Sequence, residues 1–289
     1  MVPFTYLEAS SLDETLELLA QHGDEAKLIA GGTGLVNLMK QRLVRPGFVI
    51  GLRALKPLAG IVEDRGLRIG ALATMQSLEG SPAVRRHAPL LAEACRHVAT
   101  VRVRSMATLG GAVAHADPNL DTPPALIALD AQIVARSGRG QRKISVDQFF
   151  TGYFETVLEP DEMVTEILLP PQPAGSGTAF LKFLPATQDD YATVSVAARV
   201  ALGADGAIAA ARVALGAAAT VPVRATAVEA ALAGKTADEK TFHDAAPLVL
   251  EAIDPIADFR GSAEYKRKMA IVHVRRALAE AVAHADRLA

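Results

Sequence analysis

Residues 170–177 read Pro-Pro-Gln-Pro-Ala-Gly-Ser-Gly, a stretch suited to neither a helix nor a central strand. Proline lacks the backbone N–H, and glycine loses the most conformational freedom on ordering. The chain must therefore fold as two regions joined by a linker. On the C-terminal side the sequence turns alanine-rich. Val194 to Leu202 and Ala207 to Leu215 read as strands flanking Ala204-Asp205-Gly206, a strong hairpin signal. Ile271, Val274, Leu278 and Val282 recur at helical spacing and predict a helix within 263–288.

The N-terminal side alternates helix and strand. Ser11 and Glu14 stand three apart as in a capping box, Leu12, Leu16 and Leu19 share one helical face, and Gly23 closes the helix. Ala26 to Ala30 reads as a short buried strand. Gly31-Gly32-Thr33-Gly34 then turns into a helix with Leu35, Leu38, Met39 and Leu43 on its packed side, and Phe48 to Leu52 is the next strand. An αβαβ run over 10–55 implies a small, partly parallel unit. Further on, Leu67 to Leu72 is strand-like and 83–99 helical, and 108–121 is too rich in Gly, Pro and Asp for one regular element. A hairpin crosses Ser137 to Gly140, and Met163 to Leu169 is a strand ended by Pro170.

Composition excludes several classes. With 289 residues, 50% hydrophobic, and a mean hydropathy of +0.22, the chain has ample apolar surface to offset the entropy of ordering, so it is not disordered. Lys+Arg 30 against Asp+Glu 32 leaves no basic excess for nucleic acid. One cysteine, Cys95, excludes an internal disulfide and any four-thiolate cluster, and its helical, apolar setting predicts a buried, inert thiol. His115 and Asp117 are too few ligands for a metal site, and none is expected. No apolar run approaches the roughly 18–20 residues of a membrane span. Met1 to Tyr6 lacks the pattern of a signal peptide, so a cytoplasmic protein is expected.

The glycine turns carry the chemistry. Ala30-Gly31-Gly32-Thr33-Gly34 lies between a strand and a helix, where outward backbone N–H groups and the helix terminus favour an anion such as pyrophosphate. A tight turn without ligand fits the same residues. Thr108-Leu109-Gly110-Gly111 precedes an acidic, proline-bounded loop. Asp121 can accept from a ribose hydroxyl or cap the Pro123-Pro124 helix. Together the turns favour a dinucleotide clamped at both ends, and a bulky residue at Gly32 or Gly111 is expected to expel it.

With these residues in view, the chain resembles the FAD-binding medium subunit of the molybdenum hydroxylases, of the aerobic carbon-monoxide dehydrogenase and xanthine dehydrogenase type. The blocks are Ala30 to Leu35 with Met39 to Leu43; Thr108 to Gly111 through Ala116-Asp117-Pro118, Asp121 and Pro123 to Leu126; Phe149 to Tyr153, Leu158-Glu159-Pro160 and Glu166-Ile167; Asp190 to Thr193; and Gly261 to Lys266. They keep the family's order over nearly the whole chain. The family's second turn commonly ends Gly-Gly-Asn, where this chain has Ala112, and Gly34 stands where Asp or Ser is frequent.

The resemblance implies an α+β fold: two FAD-binding subdomains of the vanillyl-alcohol-oxidase (PCMH) type, over 1–57 and 58–173, and a C-terminal α+β domain with an antiparallel sheet and helices over 178–289. It implies FAD held by Ile29, Ala30, Gly31, Gly32, Thr33, Gly34 and Leu35; by Thr108, Leu109, Gly110, Gly111 and Ala112; and by Asp121 on the ribose or adenosine side. Val98 and Val164 would line the cofactor, with Lys182 near the flavin and Tyr191 beside the isoalloxazine. No residue is assigned a firm catalytic role; Lys182 and Tyr191 are the flavin-side candidates. The implied function is electron transfer from a partner's [2Fe-2S] clusters through FAD to an external acceptor. The implied partners are a small iron–sulfur subunit and a large molybdopterin subunit, in a dimer of heterotrimers. A free-standing FAD oxidoreductase and an FAD-less scaffold or maturation protein are the alternatives; a visible spectrum of the purified chain separates the scaffold from both flavoproteins.

Overall fold

The computed structural model describes residues 1–187 and 189–285, and three main sheets organise it. The first is parallel, with strands Thr5–Glu8, Phe48–Gly51 and Ala26–Ile29 in that spatial order. Helix Leu12–His22 packs Leu16 and Leu19 into a core with Ile50. Ser11 caps it by accepting from Glu14 N at 3.1 Å, but the reciprocal bond shifts by one residue: the Glu14 carboxylate accepts from Ser10 N at 2.7 Å. Thr5–Glu8 carries no periodic signal and is a strand because it pairs with Phe48–Gly51. In Ala26–Ile29 only Ala26 is buried, which corrects the expectation of a buried strand. Leu28 and Ile29 face the cavity described below. The following helix stops at Lys40, and Arg42 turns to φ 63, so Leu43 is 69% exposed rather than packed.

The second sheet is antiparallel, in the order Ile61–Glu63, Leu67–Gly70, Met163–Leu169, Gln132–Ser137, Gly140–Ser145. The helical stretch 83–99 is two helices, Pro82–His87 and Pro89–Arg96, because Pro89 drives Ala88 out of the helical region, to φ −146 and ψ 59. The 108–121 segment is not one regular element, as expected: a short helix, Leu109–His115, is followed by a loop. Gly110 lies so close to the preceding loop that a Cβ there would sit 2.4 Å from Ala71 Cβ. Burial of Leu109 and Val113 outweighs the helix penalty of about 1 kcal/mol per glycine.

The third sheet is antiparallel, with strands Ser176–Phe183, Val194–Leu202, Ile208–Gly216 and Val223–Arg224. Helix Ala263–Ala285 buries Ala270, Val274, Ala277, Leu278 and Ala281 in the same core; residues 286–288 of the expected helix lie outside the described residues. The first strand begins inside the proline-rich stretch, and Gly177 there is part of the sheet. A Cβ on Gly177 would meet Ala281 O at 1.9 Å, so helix and strand touch at that point.

Asp130 ties this sheet to the second region, accepting from Arg199 Nη2 at 2.7 Å and Arg212 Nε at 2.8 Å. Burial by itself would raise its pKa; the two guanidinium hydrogen bonds outweigh that and hold it below the usual carboxylate range. Among the described residues no helix is long and apolar enough to cross a membrane.

Candidate functional site

A cavity of about 800 Å³ opens where the three sheets converge, within the roughly 300–1,000 Å³ of ligand and cofactor pockets. Ile29 to Leu35, Val98, Thr108, Gly110 to Ala112, Asp121, Val164, Lys182 and Tyr191 all line it. Leu109 does not: its side chain is fully buried in the core of the second region. A bulge between Val164 and Glu166 interrupts strand Met163–Leu169 at the cavity wall, and Thr165 O there accepts from Ala71 N at 2.9 Å.

The two glycine turns are unlike each other. In the first, Gly32 O accepts from Val36 N at 3.1 Å and Gly34 O from Leu38 N at 3.2 Å, starting the helix. The N–H groups of Gly31, Gly32, Thr33 and Gly34 donate to no acceptor among the described residues. Gly32 adopts φ +71, a conformation that favours glycine, and Gly31 rests on the backbone of Met106. This turn is a row of four unspent donors.

In the second turn the amides from Leu109 to Ala112 are already used. Leu109 N donates to Ala73 O and Gly110 N to Ala71 O, both at 2.9 Å. Gly111 N donates to Thr108 Oγ1 at 3.1 Å, and Ala112 N to Thr108 O at 2.9 Å. The row of free N–H groups that an anion needs lies in the first turn; the glycine amides of the second are bonded within the fold. The second offers close approach with its Leu109 to Ala112 donors spent. Thr108→Ala removes the helix cap and is expected to cost about 1 kcal/mol in a thermal or chemical unfolding measurement.

Asp121 sits at the N-terminus of helix Thr122–Ala128 but makes no capping bond. Its Oδ2 instead accepts from Lys182 Nζ at 2.9 Å, and Lys182 also donates to His97 O at 2.9 Å. Lys182 is 1% exposed at its side chain, so its charge is spent on holding Asp121. Asp121 Oδ1 is buried with no partner among the described residues, and burial pushes the carboxyl up to about 6. Such an orphan acceptor in a cavity is a ready partner for a ligand hydroxyl.

Tyr191 is 39% exposed at the cavity edge, with the Arg260 guanidinium 5.4 Å from its ring centroid. Burial, then the Asp117 carboxylate, hold its phenol above the usual range. His115 packs against Phe154, ring centroids 5.1 Å apart, and burial lowers its pKa. Cys95 is buried, as expected, and burial pushes its thiol up. Among the described residues the cavity thus presents donors, two orphan oxygens (Asp121 Oδ1 and Thr122 Oγ1) and apolar walls, and its raised carboxyl, Asp121, is tied to Lys182.

Sequence reasoning did not select His115, Phe154, Met75 or Arg260 for this cavity, although all four line it. For Arg260 a signal existed: it immediately precedes the block Gly261 to Lys266.

Comparison with known proteins identifies the family. A family model described as the FAD binding domain in molybdopterin dehydrogenase matches residues 2–172, and one described as the CO dehydrogenase flavoprotein C-terminal domain matches 179–281. The carbon monoxide dehydrogenase medium chain of Hydrogenophaga pseudoflava is 36% identical over 281 residues, covering 96% of this chain and 97% of that one. Subunit alpha of the 6-hydroxypseudooxynicotine dehydrogenase complex of Paenarthrobacter nicotinovorans is 34% identical, over 96% and 94% of the two chains. The solved carbon monoxide dehydrogenase from H. pseudoflava that lacks the Mo-pyranopterin moiety superposes with a TM-score of 0.95 at 38% identity, over 98% of this chain and 99% of that one. Quinoline 2-oxidoreductase from Pseudomonas putida 86 gives 0.92 at 33% identity, over 98% of each.

Proposed function

This chain belongs to the FAD-binding flavoprotein subunits of the molybdenum hydroxylase family, and from that premise we propose that it is the electron-exit subunit of such an enzyme. Its partners are a small subunit with two [2Fe-2S] clusters and a large molybdopterin subunit, in a dimer of heterotrimers, and it hands electrons to an external acceptor. Cytoplasmic assembly goes with this reading. The stretches 1–57 and 58–173 serve as the two halves of the FAD site, and 178–289 closes it.

The residues fit the group. The four unspent amides of Gly31 to Gly34 suit a pyrophosphate, and the buried Asp121 Oδ1 suits a ribose hydroxyl. Lys182 keeps that carboxylate in place, Val98 and Val164 supply apolar walls, and the ring of Tyr191 suits a planar π-system. When bound, FAD supplies reversible uptake and release of electrons between the partner's clusters and the acceptor. This chain contributes binding, orientation and the exclusion of water.

The observation that carries the reading is the cavity's chemistry: four free amides at the first glycine turn, and a raised carboxyl, Asp121, that is tied to Lys182 with one oxygen left over. His115 is packed and neutral-leaning, Lys182 is paired, and the Cys95 thiol is raised and buried. Substrate chemistry then belongs to another subunit. The test is anaerobic mixing with candidate substrates suggested by the relatives' names, carbon monoxide and quinoline, following flavin absorbance. With FAD supplied, the chain on its own is expected to show no bleaching; restoring the iron–sulfur and molybdenum subunits is expected to produce it. Rapid bleaching of the chain by itself would sink the relay and promote a free-standing oxidoreductase. A chain that takes up no FAD, by itself or in the complex, would leave the scaffold.

A further inference from the structure

Arg260 lines the cavity beside Tyr191, yet neither the fold nor the binding set above gives it a role. Its loop is held firmly. Arg260 N donates to Asp258 Oδ1 at 2.8 Å, Arg260 O accepts from Thr193 Oγ1 at 3.2 Å, and Lys266 Nζ reaches Asp258 Oδ2 at 2.9 Å. The guanidinium is aimed as firmly: Nη2 donates to Asp190 Oδ1 at 2.9 Å, and the group lies 5.4 Å from the Tyr191 ring and 4.0 Å from that of Phe259. Only 12% of the side chain is exposed, and Nε is buried with no partner among the described residues.

A buried N–H without an acceptor is costly, and native proteins rarely tolerate one without a reason. Here the reason stands in the cavity. Resting on the FAD reading above, we propose that Arg260 is a flavin-side residue: a fixed donor and positive charge that engages the ring system next to Tyr191 and favours its electron-rich, reduced form. The pyrophosphate has its own donors in Gly31 to Gly34, so the ring is the part of the cofactor left for Arg260. Hydrogen bonds from a charged donor are roughly twice as strong as neutral ones, and they strengthen further as their acceptor gains electron density. Charge near the ring is one of the means by which a protein tunes a flavin. Asp190 and Asp258 are balanced by Arg260 and Lys266, so removing Arg260 leaves net negative charge at the ring.

The alternative is a purely structural clip joining Asp190 to the 254–262 loop. The assembled, FAD-reconstituted complex separates the two through the flavin midpoint potential and the FAD dissociation constant. Arg260→Gln is expected to lose about tenfold of the preference for reduced over oxidised flavin, about 30 mV downward for a two-electron couple. Arg260→Lys keeps the charge and is expected to fall by less, in the same direction. Asp190→Asn loosens the clip while leaving the cation, and its potential is expected to stay or rise. An unmoved potential in Arg260→Gln, or an equal fall in Asp190→Asn, overturns the proposal. If Arg260→Gln fails to assemble, Arg260→Lys decides by the same measurement, no fall counting against it. A wild-type complex that takes up no FAD overturns the parent reading and this one together; bound FAD with an unmoved potential overturns this one alone.

Discussion

Gly31→Ala is expected to disable the site more than any other single methyl group in it. A Cβ at Gly31 would lie 1.8 Å from Met106 O and 2.5 Å from Met106 C. Both are backbone atoms, which cannot swing aside as a side-chain tip can. The turn must lift off the 103–107 segment, and the four free amides move with it. Overpacking of this severity costs about 3 kcal/mol or more, and if the whole of it falls on binding, FAD affinity drops about a hundredfold. Thermal unfolding and an FAD titration of the complex measure the two parts. Gly111→Ala is the contrast: its Cβ meets only Thr108 Oγ1, at 2.7 Å, and a hydroxyl can rotate. Its expected cost is the cap, about 1 kcal/mol. Wild-type FAD affinity in Gly31→Ala would remove the first turn from the binding site.

The second large effect is on Asp121 and depends on pH. Its carboxyl is pushed up to about 6 by burial, despite the Lys182 ammonium; unfolded, it titrates near its ordinary value of about 3.9. Between those values the folded state holds the proton more tightly than the unfolded one. Stability from this group therefore falls as pH rises from about 4 to about 6, by on the order of 3 kcal/mol, and stays at the lower level above that. A hydroxyl donating to Oδ1 favours the charged form and draws the pKa back down. FAD binding should then release a proton near pH 5–6, roughly, and affinity should rise with pH by up to about tenfold per unit until it levels off above about 6.

Titration calorimetry in buffers of different ionisation enthalpy reads the proton directly. The dependence should vanish in Asp121→Asn and persist in His115→Gln. Asp121→Asn also strands the Lys182 charge, at about 3–5 kcal/mol of stability, and Asp121→Asn with Lys182→Met should recover part of it. Affinity that does not change between about pH 5 and 7 in the wild type would remove Asp121 from the ligand.

Much of the local architecture was legible because its causes are local. Strands Met163–Leu169 and Val194–Leu202 have the bounds their apolar runs imply, and Ser11 caps the helix its spacing announces. Where packing at a distance decides, the local signals mislead. Two glycines argue against a helix at 109–115, yet close approach to Ala71 requires one of them there. Leu43 keeps helical spacing, but the helix has already ended. Thr5–Glu8 has no pattern of its own and is a strand through its neighbour.

The same division runs through the site. The sequence by itself determined that the chain carries two glycine turns and a carboxylate of a kind that suits one dinucleotide, since turn geometry and chemical type belong to residues within a few positions of one another; Tyr191 joined them only through the family resemblance. Only the tertiary structure decided how they differ: which turn keeps its amides free, that Lys182 is committed to Asp121 across 61 residues, and that Arg260 comes to rest with an unspent N–H beside Tyr191. A hydrogen-bonding group has a fixed capacity, and whether any of it is left for a ligand depends on every group the fold brings within about 3 Å.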